Sequence, residues 1–194
     1  MLFVAVLGSV RRERNGLRAA QFIRRELEAR GHSVAVVDAG DLQLPLLDLA
    51  YADYAEGAAP EALERLAALY RSADAFVVLC GEYNHGLPPA LKNLLDHFRA
   101  EYFFRPSAIV SYSSGPFGGV RAAVHLRAVL AELGMSSVPR MLPISRVDEV
   151  LTEDGSETAP GAIKGTRRFL DELEWYAAAL RSHRERVGLP RRNQ

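Results

Sequence analysis

Three short segments of this sequence combine glycine with polar or aromatic side chains, as loops that contact ligands often do. The first, residues 8–16, reads GSVRRERNG and carries the hydroxyl of Ser9 and the guanidinium groups of Arg11 and Arg14. Asn15 and Gly16 stand where a helix is expected to begin, and the free N–H groups of a helix N-terminus favour a bound anion. The segment is therefore predicted to bind phosphate, with an ordinary polar loop in an arginine-rich chain as the alternative.

The second and third segments suit a flat aromatic ligand. Residues 81–89 read GEYNHGLPP, and the ring of Tyr83 can lie along such a ligand while backbone N–H groups bond to the ligand's edge. Residues 113–119 read SSGPFGG, a composition that suits a loop around a ring. The candidate ligand contacts in these two segments are Glu82, Tyr83, Asn84, His85, Ser113, Ser114, Gly115, Phe117 and Gly118. Asn84 and His85 could instead form a local turn, and the third segment could be a flexible loop.

Apolar runs and helical periodicity predict the elements that position these segments. Strands are expected at 2–7, 33–38, 75–80, 106–112 and 141–145, and helices at 17–30, 60–70, 88–98, 119–133 and 164–186. Strands that alternate with helices favour a doubly wound, five-stranded parallel sheet in three α/β/α layers. We expect one domain over residues 1–187, followed by a tail at 188–194. The three segments then follow strand ends at one edge of the sheet, where ligands bind in such folds.

Composition excludes several classes of function. The 194 residues include 24 basic and 24 acidic side chains, so the formal net charge is zero and no general attraction to nucleic acid is expected. No apolar run approaches the roughly 20 residues of a membrane span, and the first residues read as a strand rather than a signal peptide. Cys80 is the only cysteine, which excludes an intrachain disulfide and favours the cytoplasm. The histidines lack metal-ligand spacing, so no metal site is predicted.

The motifs GSVR, EYN…LPPALKNLLD and SSGPFGGVRA together resemble the NADPH-dependent FMN reductase family, flavodoxin-like proteins that include quinone, azo and chromate reductases. The resemblance implies an FMN cofactor, with NADPH or NADH as co-substrate. It places Ser9, Arg11 and Arg14 near the phosphate, Glu82, Tyr83 and Asn84 near the isoalloxazine, and residues 113–118 around the ring. Two residues depart from the family pattern: Gly81 replaces the usual proline, and Arg14 stands where many members have a second serine.

The resemblance implies an oxidoreductase that passes two electrons by ping-pong hydride transfer from NAD(P)H to a quinone, a free flavin or a similar small acceptor. No catalytic side chain is predicted, because the cofactor performs the hydride transfer and the protein orients it. One alternative is a non-catalytic electron carrier of the flavodoxin type, although such carriers are typically acidic and this chain is neutral. Another alternative is a domain that senses a phosphate or nucleotide.

Apolar side chains cluster in and after the predicted helix at 88–98. They are Leu91, Leu94, Leu95, Phe98, Tyr102, Phe103 and Phe104. This is more apolar surface than one sheet face obviously requires, and exposed apolar patches usually mark interfaces. Together with the family resemblance, the cluster predicts a homodimer or a homotetramer. The alternative is that all these side chains belong to the core.

Overall fold

Five runs rich in apolar side chains form the strands of one parallel sheet. In the computed structural model, which describes residues 1–190, the strands are β1 Leu2–Leu7, β2 Ser33–Asp38, β3 Ala75–Gly81, β4 Pro106–Ser113 and β5 Ser136–Ser145, in the spatial order β2-β1-β3-β4-β5. Almost every side chain of β1, β3 and β4 is buried, because helices cover both faces of the sheet. The strand order reverses between β1 and β3, which sets the ligand-binding crevice at their carboxyl ends.

The helices form two layers on opposite faces of this sheet. They are α1 Gly16–Ala29, α2 Ala39–Leu42, α3 Glu61–Ser72, α4 Pro89–Asp96, α5 Val120–Glu132, α6 Val147–Val150 and α7 Thr166–Val187. One core cluster joins α1 and α7 to the sheet, and a second joins α3, α4 and α5 to the other face. This arrangement confirms the predicted doubly wound, flavodoxin-like fold in three α/β/α layers.

The sequence missed the first half of one strand and two short helices. Strand β5 begins at Ser136 rather than at residue 141, because buried and exposed positions are interspersed along this edge strand and its first half does not read as an apolar run. The helices α2 and α6 have four residues each, too few for a detectable periodicity. Helix α7 spans Thr166–Val187, against the predicted 164–186. Of the predicted tail at 188–194, residues 191–194 lie outside the described residues.

The apolar cluster around α4 is core, so its prediction as an interface was wrong. Leu91, Leu94, Leu95, Phe98 and Tyr102 are each at most 2% exposed. The rings of Phe98 and Tyr102 pack on those of Tyr70 and Phe76, with centroids 4.9 to 5.4 Å apart in the closest pairs. Phe103 and Phe104 are half-buried. The homodimer or homotetramer stays a prediction that this cluster does not support.

Further features of the described part of the chain concern membrane spans, metal sites and free thiols. None of the helices within residues 1–190 has the length and apolar character needed to cross a membrane. Over the same residues, no group of three or more His, Cys, Asp or Glu side chains is placed to hold a metal ion. Cys80 is a buried free thiol.

Candidate functional site

The three loops predicted to bind a ligand meet at the carboxyl edge of the sheet around one cavity of about 640 Å³. Its lining residues are Ser9, Arg11, Arg12, Glu13, Arg14, Asn15, Gly81, Glu82, Tyr83, Tyr112, Ser113, Ser114 and Val147. Most of the predicted contacts are therefore brought together. Gly16 lies just below the cavity against Tyr112, whereas Asn84, His85, Gly115, Phe117 and Gly118 belong to the same loops but do not line it.

The first loop is held in place by Arg14. Its Nη1 atom donates to the carboxylate of Asp38 at 2.5 Å and to the carbonyl of Ser9 at 2.7 Å. Both members of the ion pair are largely buried, and a side chain at Gly40 would collide with the guanidinium group. Arg14 therefore fastens the loop to the end of β2. Arg11 and Arg12 are exposed and form no ion pair with any residue of 1–190, so their charges face the cavity and solvent.

The start of α1 has no side-chain cap. Asn15 precedes the helix, as predicted, but its side chain makes no capping bond and instead donates to the Ser114 hydroxyl at 3.1 Å. The amide of Asn15 thus links the first loop to the third. Because no side chain occupies the N–H groups of the first helical turn, this end of the cavity suits an anion.

The second loop contains a tight turn that presents Tyr83. The backbone of Tyr83 exchanges two hydrogen bonds with that of Gly86, at 3.0 and 2.9 Å. Asn84 and His85 occupy the two central positions with φ of 50° and 66°, so both act as turn formers, the alternative left open by the sequence. The Tyr83 hydroxyl lies 3.0 Å from Ser9 Oγ, and the Arg11 guanidinium lies 5.7 Å from the Tyr83 ring centroid. Tyr83 therefore bridges the second loop and the first.

Glu82 supplies the cap that α5 lacks in its own sequence. Its Oε2 accepts hydrogen bonds from the backbone N–H groups of Arg121 at 3.1 Å and Ala122 at 3.4 Å, and Oε1 pairs with the Arg121 guanidinium at 3.3 Å. The residue before the helix is Gly119, which has no side chain to do so. Glu82 therefore ties the second loop to the element that follows the third.

Sequence reasoning missed Arg121, which also lies over the Phe117 ring at 4.6 Å. The sequence offered one signal. The predicted helix follows a glycine rather than the usual Ser, Thr, Asp or Asn, so another element has to cap its first turn.

The third loop folds back on the end of β4. Gly118 and Gly119 have φ of 60° and 73°, and a Cβ at Gly119 would come within 2.8 Å of the Tyr112 carbonyl oxygen. Ser113 Oγ donates to the Gly115 carbonyl at 3.0 Å and stabilises the turn. Glycine is thus required here by close backbone approach, which keeps the loop tight against the sheet edge.

Sequence reasoning also missed Tyr112, the penultimate residue of β4. The side chain lines the cavity and is 5% exposed, and its hydroxyl has no hydrogen-bond partner within residues 1–190. Burial raises the pKa of this phenol well above its ordinary value, so it is a neutral donor at pH 7. Burial, with a smaller contribution from the charge of Glu82, raises the pKa of the neighbouring Cys80 thiol to about 12.

A larger cavity of about 830 Å³ lies elsewhere, between α1 and the start of α7. None of the residues that line it belongs to the three loops. The carboxylate of Glu157 in its wall already accepts hydrogen bonds from the N–H groups of Gly161 and Ile163. The cavity at the carboxyl edge is the candidate site, because the switch point and the uncapped helix converge there.

Comparison with known proteins shows the family to which the chain belongs. Residues 1–148 match the family described as NADPH-dependent FMN reductase. The chain belongs to this family. It is therefore an NAD(P)H-dependent oxidoreductase with FMN as its cofactor, as the resemblance implied.

Similar proteins in the FMN reductase family include an NADPH azoreductase from Bacillus sp. (strain OY1-2), 27% identical over 66% of this chain and 71% of the relative. A quinone reductase from Pseudomonas putida is 32% identical over 67% of this chain and 69% of the relative. Among solved structures, the flavoenzyme NAD(P)H:(acceptor) oxidoreductase FerB from Paracoccus denitrificans has a TM-score of 0.71 at 22% identity, over 94% and 98% of the two chains. At this identity the structural likeness supports the fold alone.

The residues present fit the cofactor of the FMN reductase family. A cavity of about 640 Å³ lies within the roughly 300–1,000 Å³ range of small-molecule sites. One end offers the cations of Arg11 and Arg12 and the uncapped start of α1, which suit a phosphate. Tyr83, whose ring lies 5.7 Å from the Arg11 guanidinium, and the backbone of the second and third loops suit a flat ring. The buried, unpartnered hydroxyl of Tyr112 adds a polar group that residues 1–190 do not satisfy.

Proposed function

We propose that this protein oxidises NADPH or NADH and reduces a quinone, a free flavin or a similar small acceptor in a ping-pong cycle. The observation that carries the proposal is the meeting of three loops around a single cavity at the switch point. When bound there, FMN supplies the hydride chemistry that no side chain of the site provides. In this proposal the nucleotide and the acceptor react at the same place in turn, so the oxidised nucleotide leaves before the acceptor enters.

The chain's own residues bind and orient the cofactor in this proposal. Arg11 and the first turn of α1 hold the phosphate, and Arg14 keeps the loop in shape through Asp38. Tyr83 and the neighbouring backbone contact the ring. Glu82 acts indirectly, because its carboxylate is committed to the start of α5 and so positions the third loop.

No side chain of the site is assigned a proton-transfer role. Cys80 is buried with a pKa of about 12, so it remains a thiol at pH 7 and makes a poor acid or nucleophile. The Tyr112 phenol is neutral for the same physical reason. In this proposal the protein contributes binding and orientation of the cofactor.

The alternative from the sequence, a non-catalytic electron carrier, is disfavoured by the match to a family of NADPH-dependent reductases. A mutant flavodoxin from Pseudomonas aeruginosa has a TM-score of 0.54 at 18% identity over 93% of this chain and 99% of that one, which shows the shared fold. The formal net charge of zero and the arginines of the first loop favour the enzyme, since carriers of this type are typically acidic. The two functions differ in whether NAD(P)H is consumed continuously.

The deciding experiment follows the purified protein through both half-reactions. Flavin released by acid should run as FMN on chromatography, and FAD as the main species would contradict the one-phosphate site. Anaerobic mixing with NADPH and with NADH should bleach the flavin, and a panel of quinones should restore its colour. Sustained NAD(P)H oxidation with parallel double-reciprocal plots supports the proposal. A flavin that NAD(P)H does not reduce indicates the carrier, and a chain that binds no FMN contradicts both functions.

A further inference from the structure

Tyr112 has a polar group for which the described chain provides no partner. Its ring is packed at the end of β4, and its hydroxyl is buried next to the first residue of α1. A Cβ built on Gly16 would lie 2.3 Å from Tyr112 Oη, so the hydroxyl is pressed against the base of the phosphate-binding loop. A buried hydroxyl without a hydrogen bond is unfavourable, and proteins seldom retain one unless a ligand, a water molecule or a conformational change satisfies it.

The groups beside this hydroxyl belong to the predicted phosphate site. Ser9, Arg14 and Tyr112 line the same cavity. The Ser9 hydroxyl and the charge of Arg14 both act to lower the pKa of Tyr112, against the larger effect of burial. Ser9 Oγ is engaged with the Tyr83 hydroxyl at 3.0 Å, and the Ser9 carbonyl is held by Arg14 at 2.7 Å. The Ser9 hydroxyl therefore has the Tyr83 hydroxyl as its partner. The hydroxyl of Tyr112, which lines the same cavity, is a donor without a partner within residues 1–190.

Like Gly16, Gly81 leaves space for the Tyr112 side chain. A Cβ at Gly81 would lie 3.3 Å from the Cε2, Cζ and Oη atoms of Tyr112, tighter than most such contacts. Gly81 is also the residue that stands where the family pattern has proline. Gly81 and Tyr112 are also direct partners in the pairing of β3 with β4.

We propose that Tyr112 is a positioning residue for recognition of the cofactor's phosphate and acts through Ser9. When a phosphomonoester occupies the loop at residues 8–16, the Ser9 hydroxyl turns from Tyr83 and donates to a phosphate oxygen. Tyr112 then donates to Ser9 Oγ, which satisfies the buried phenol and fixes the serine in its binding orientation. This inference rests on the proposed function, since it takes FMN as the ligand.

The test compares FMN with riboflavin, which carries the same ring and ribityl chain without phosphate. The full-length chain, freed of bound flavin, is titrated with each flavin and followed by fluorescence quenching. Tyr112→Phe keeps the ring and removes only the hydroxyl. It should raise the Kd of FMN roughly three- to tenfold, the range for one neutral hydrogen bond, and leave the Kd of riboflavin unchanged.

A matched control is Tyr70→Phe. Tyr70 is fully buried and its hydroxyl also has no partner within residues 1–190, but it belongs to α3 and packs in the aromatic cluster with Phe98, away from the cavity. This variant should leave both flavin affinities unchanged. A second arm repeats Tyr112→Phe in a Ser9→Ala background, where it should have no further effect on FMN affinity because the two residues act in series.

The possible outcomes separate this inference from the proposed function. If the unaltered chain does not bind FMN, the proposed function fails and this inference fails with it. If FMN binds but Tyr112→Phe leaves its affinity unchanged, or weakens riboflavin equally, only the role of Tyr112 is overturned. Equal losses from Tyr112→Phe with and without Ser9 would also overturn it, because they would mean that Tyr112 acts independently of Ser9.

Discussion

The two edges of the sheet carry similar side chains but use them differently. At the amino edge, Asp74 is buried and accepts hydrogen bonds from the Leu2 N–H at 2.8 Å and from Arg181 at 3.3 Å, and pairs with Arg184 at 3.5 Å. Arg105 is also buried there and donates to three backbone carbonyls, those of Ala73, Phe103 and Arg71. These charges find their partners inside the chain.

At the carboxyl edge, several polar groups have no such partners. Arg11 and Arg12 are exposed without ion pairs to residues 1–190, α1 begins without a side-chain cap, and the Tyr112 hydroxyl is unpartnered within the same residues. Arg14 does form a buried ion pair, and this pair holds the loop. The comparison predicts that the amino edge contributes stability and that the groups at the carboxyl edge find their partners in a ligand.

The largest expected effect is on stability and arises at the amino edge. Asp74→Asn removes the negative charge that faces the exposed Arg181 and the largely buried Arg184, and it leaves the Arg184 guanidinium without its carboxylate. We expect a loss of about 3 kcal/mol in the free energy of unfolding, measured with urea, and little change in FMN affinity. The control Asp41→Asn, at a side chain 82% exposed near the carboxyl edge, should cost less than about 0.5 kcal/mol. Unchanged stability with weakened FMN binding in Asp74→Asn would reverse the comparison.

The next largest effect is on binding and arises at the carboxyl edge. Arg11→Ala should weaken FMN binding by about 1.5–3 kcal/mol, the range for a hydrogen bond to a charged group, without lowering stability. Arg24→Ala is the matched control, because Arg24 is half-exposed on α1 and pairs with Glu28 at 2.8 Å, away from the cavity. Titration of both variants with FMN checks the prediction. Equal losses of affinity would mean that the first loop has no specific phosphate contact at Arg11.

The two edges should also respond differently to alkaline pH. The folded chain holds the Cys80 proton up to a pKa of about 12, whereas the unfolded chain releases it near pH 9. Stability from this group is complete below pH 9 and falls by about 1.4 kcal/mol per pH unit above it. Burial lowers the pKa of Arg105 to about 10. The effect of Arg105 on stability has the opposite sign, because it makes the folded chain more stable as pH rises, and this effect begins only above pH 10. Urea unfolding at pH 8.5 and pH 10 should therefore show a shallower decline in Cys80→Ala. Parallel declines in both proteins would rule out this assignment.

The smallest effect distinguishes the two tyrosines of the site. Tyr83→Phe removes the hydroxyl that engages Ser9 and keeps the ring that we propose contacts the flavin. Since the freed serine can then serve the phosphate, we expect FMN affinity to stay equal or to tighten by about two- to threefold, about 0.4–0.7 kcal/mol. Rapid kinetics of both half-reactions should retain most of the activity. A large pH-dependent fall in kcat with FMN still bound would instead show that Tyr83 transfers a proton.

The sequence by itself determined the succession of strands and helices, the three loops and the family. Apolar runs such as Leu2–Leu7 and Ala75–Gly81 are continuous because these strands are buried on both faces. Burial of this kind can therefore be recognised from the sequence alone. The glycines and polar residues of each of the three loops are neighbours in the sequence, so these loops could also be recognised from the sequence alone. These signals depend on neighbours along the chain.

Only the tertiary structure decided which partner each side chain takes. Arg14 pairs with Asp38 across 24 positions, Glu82 caps a helix through a residue 39 positions further along the chain, and Tyr112 meets glycines from two other elements. Apolar periodicity likewise could not say whether the α4 cluster faces a partner chain or the core. Hydrogen bonds and packing contacts are satisfied through space, and a sequence pattern records which groups need partners without recording which groups supply them.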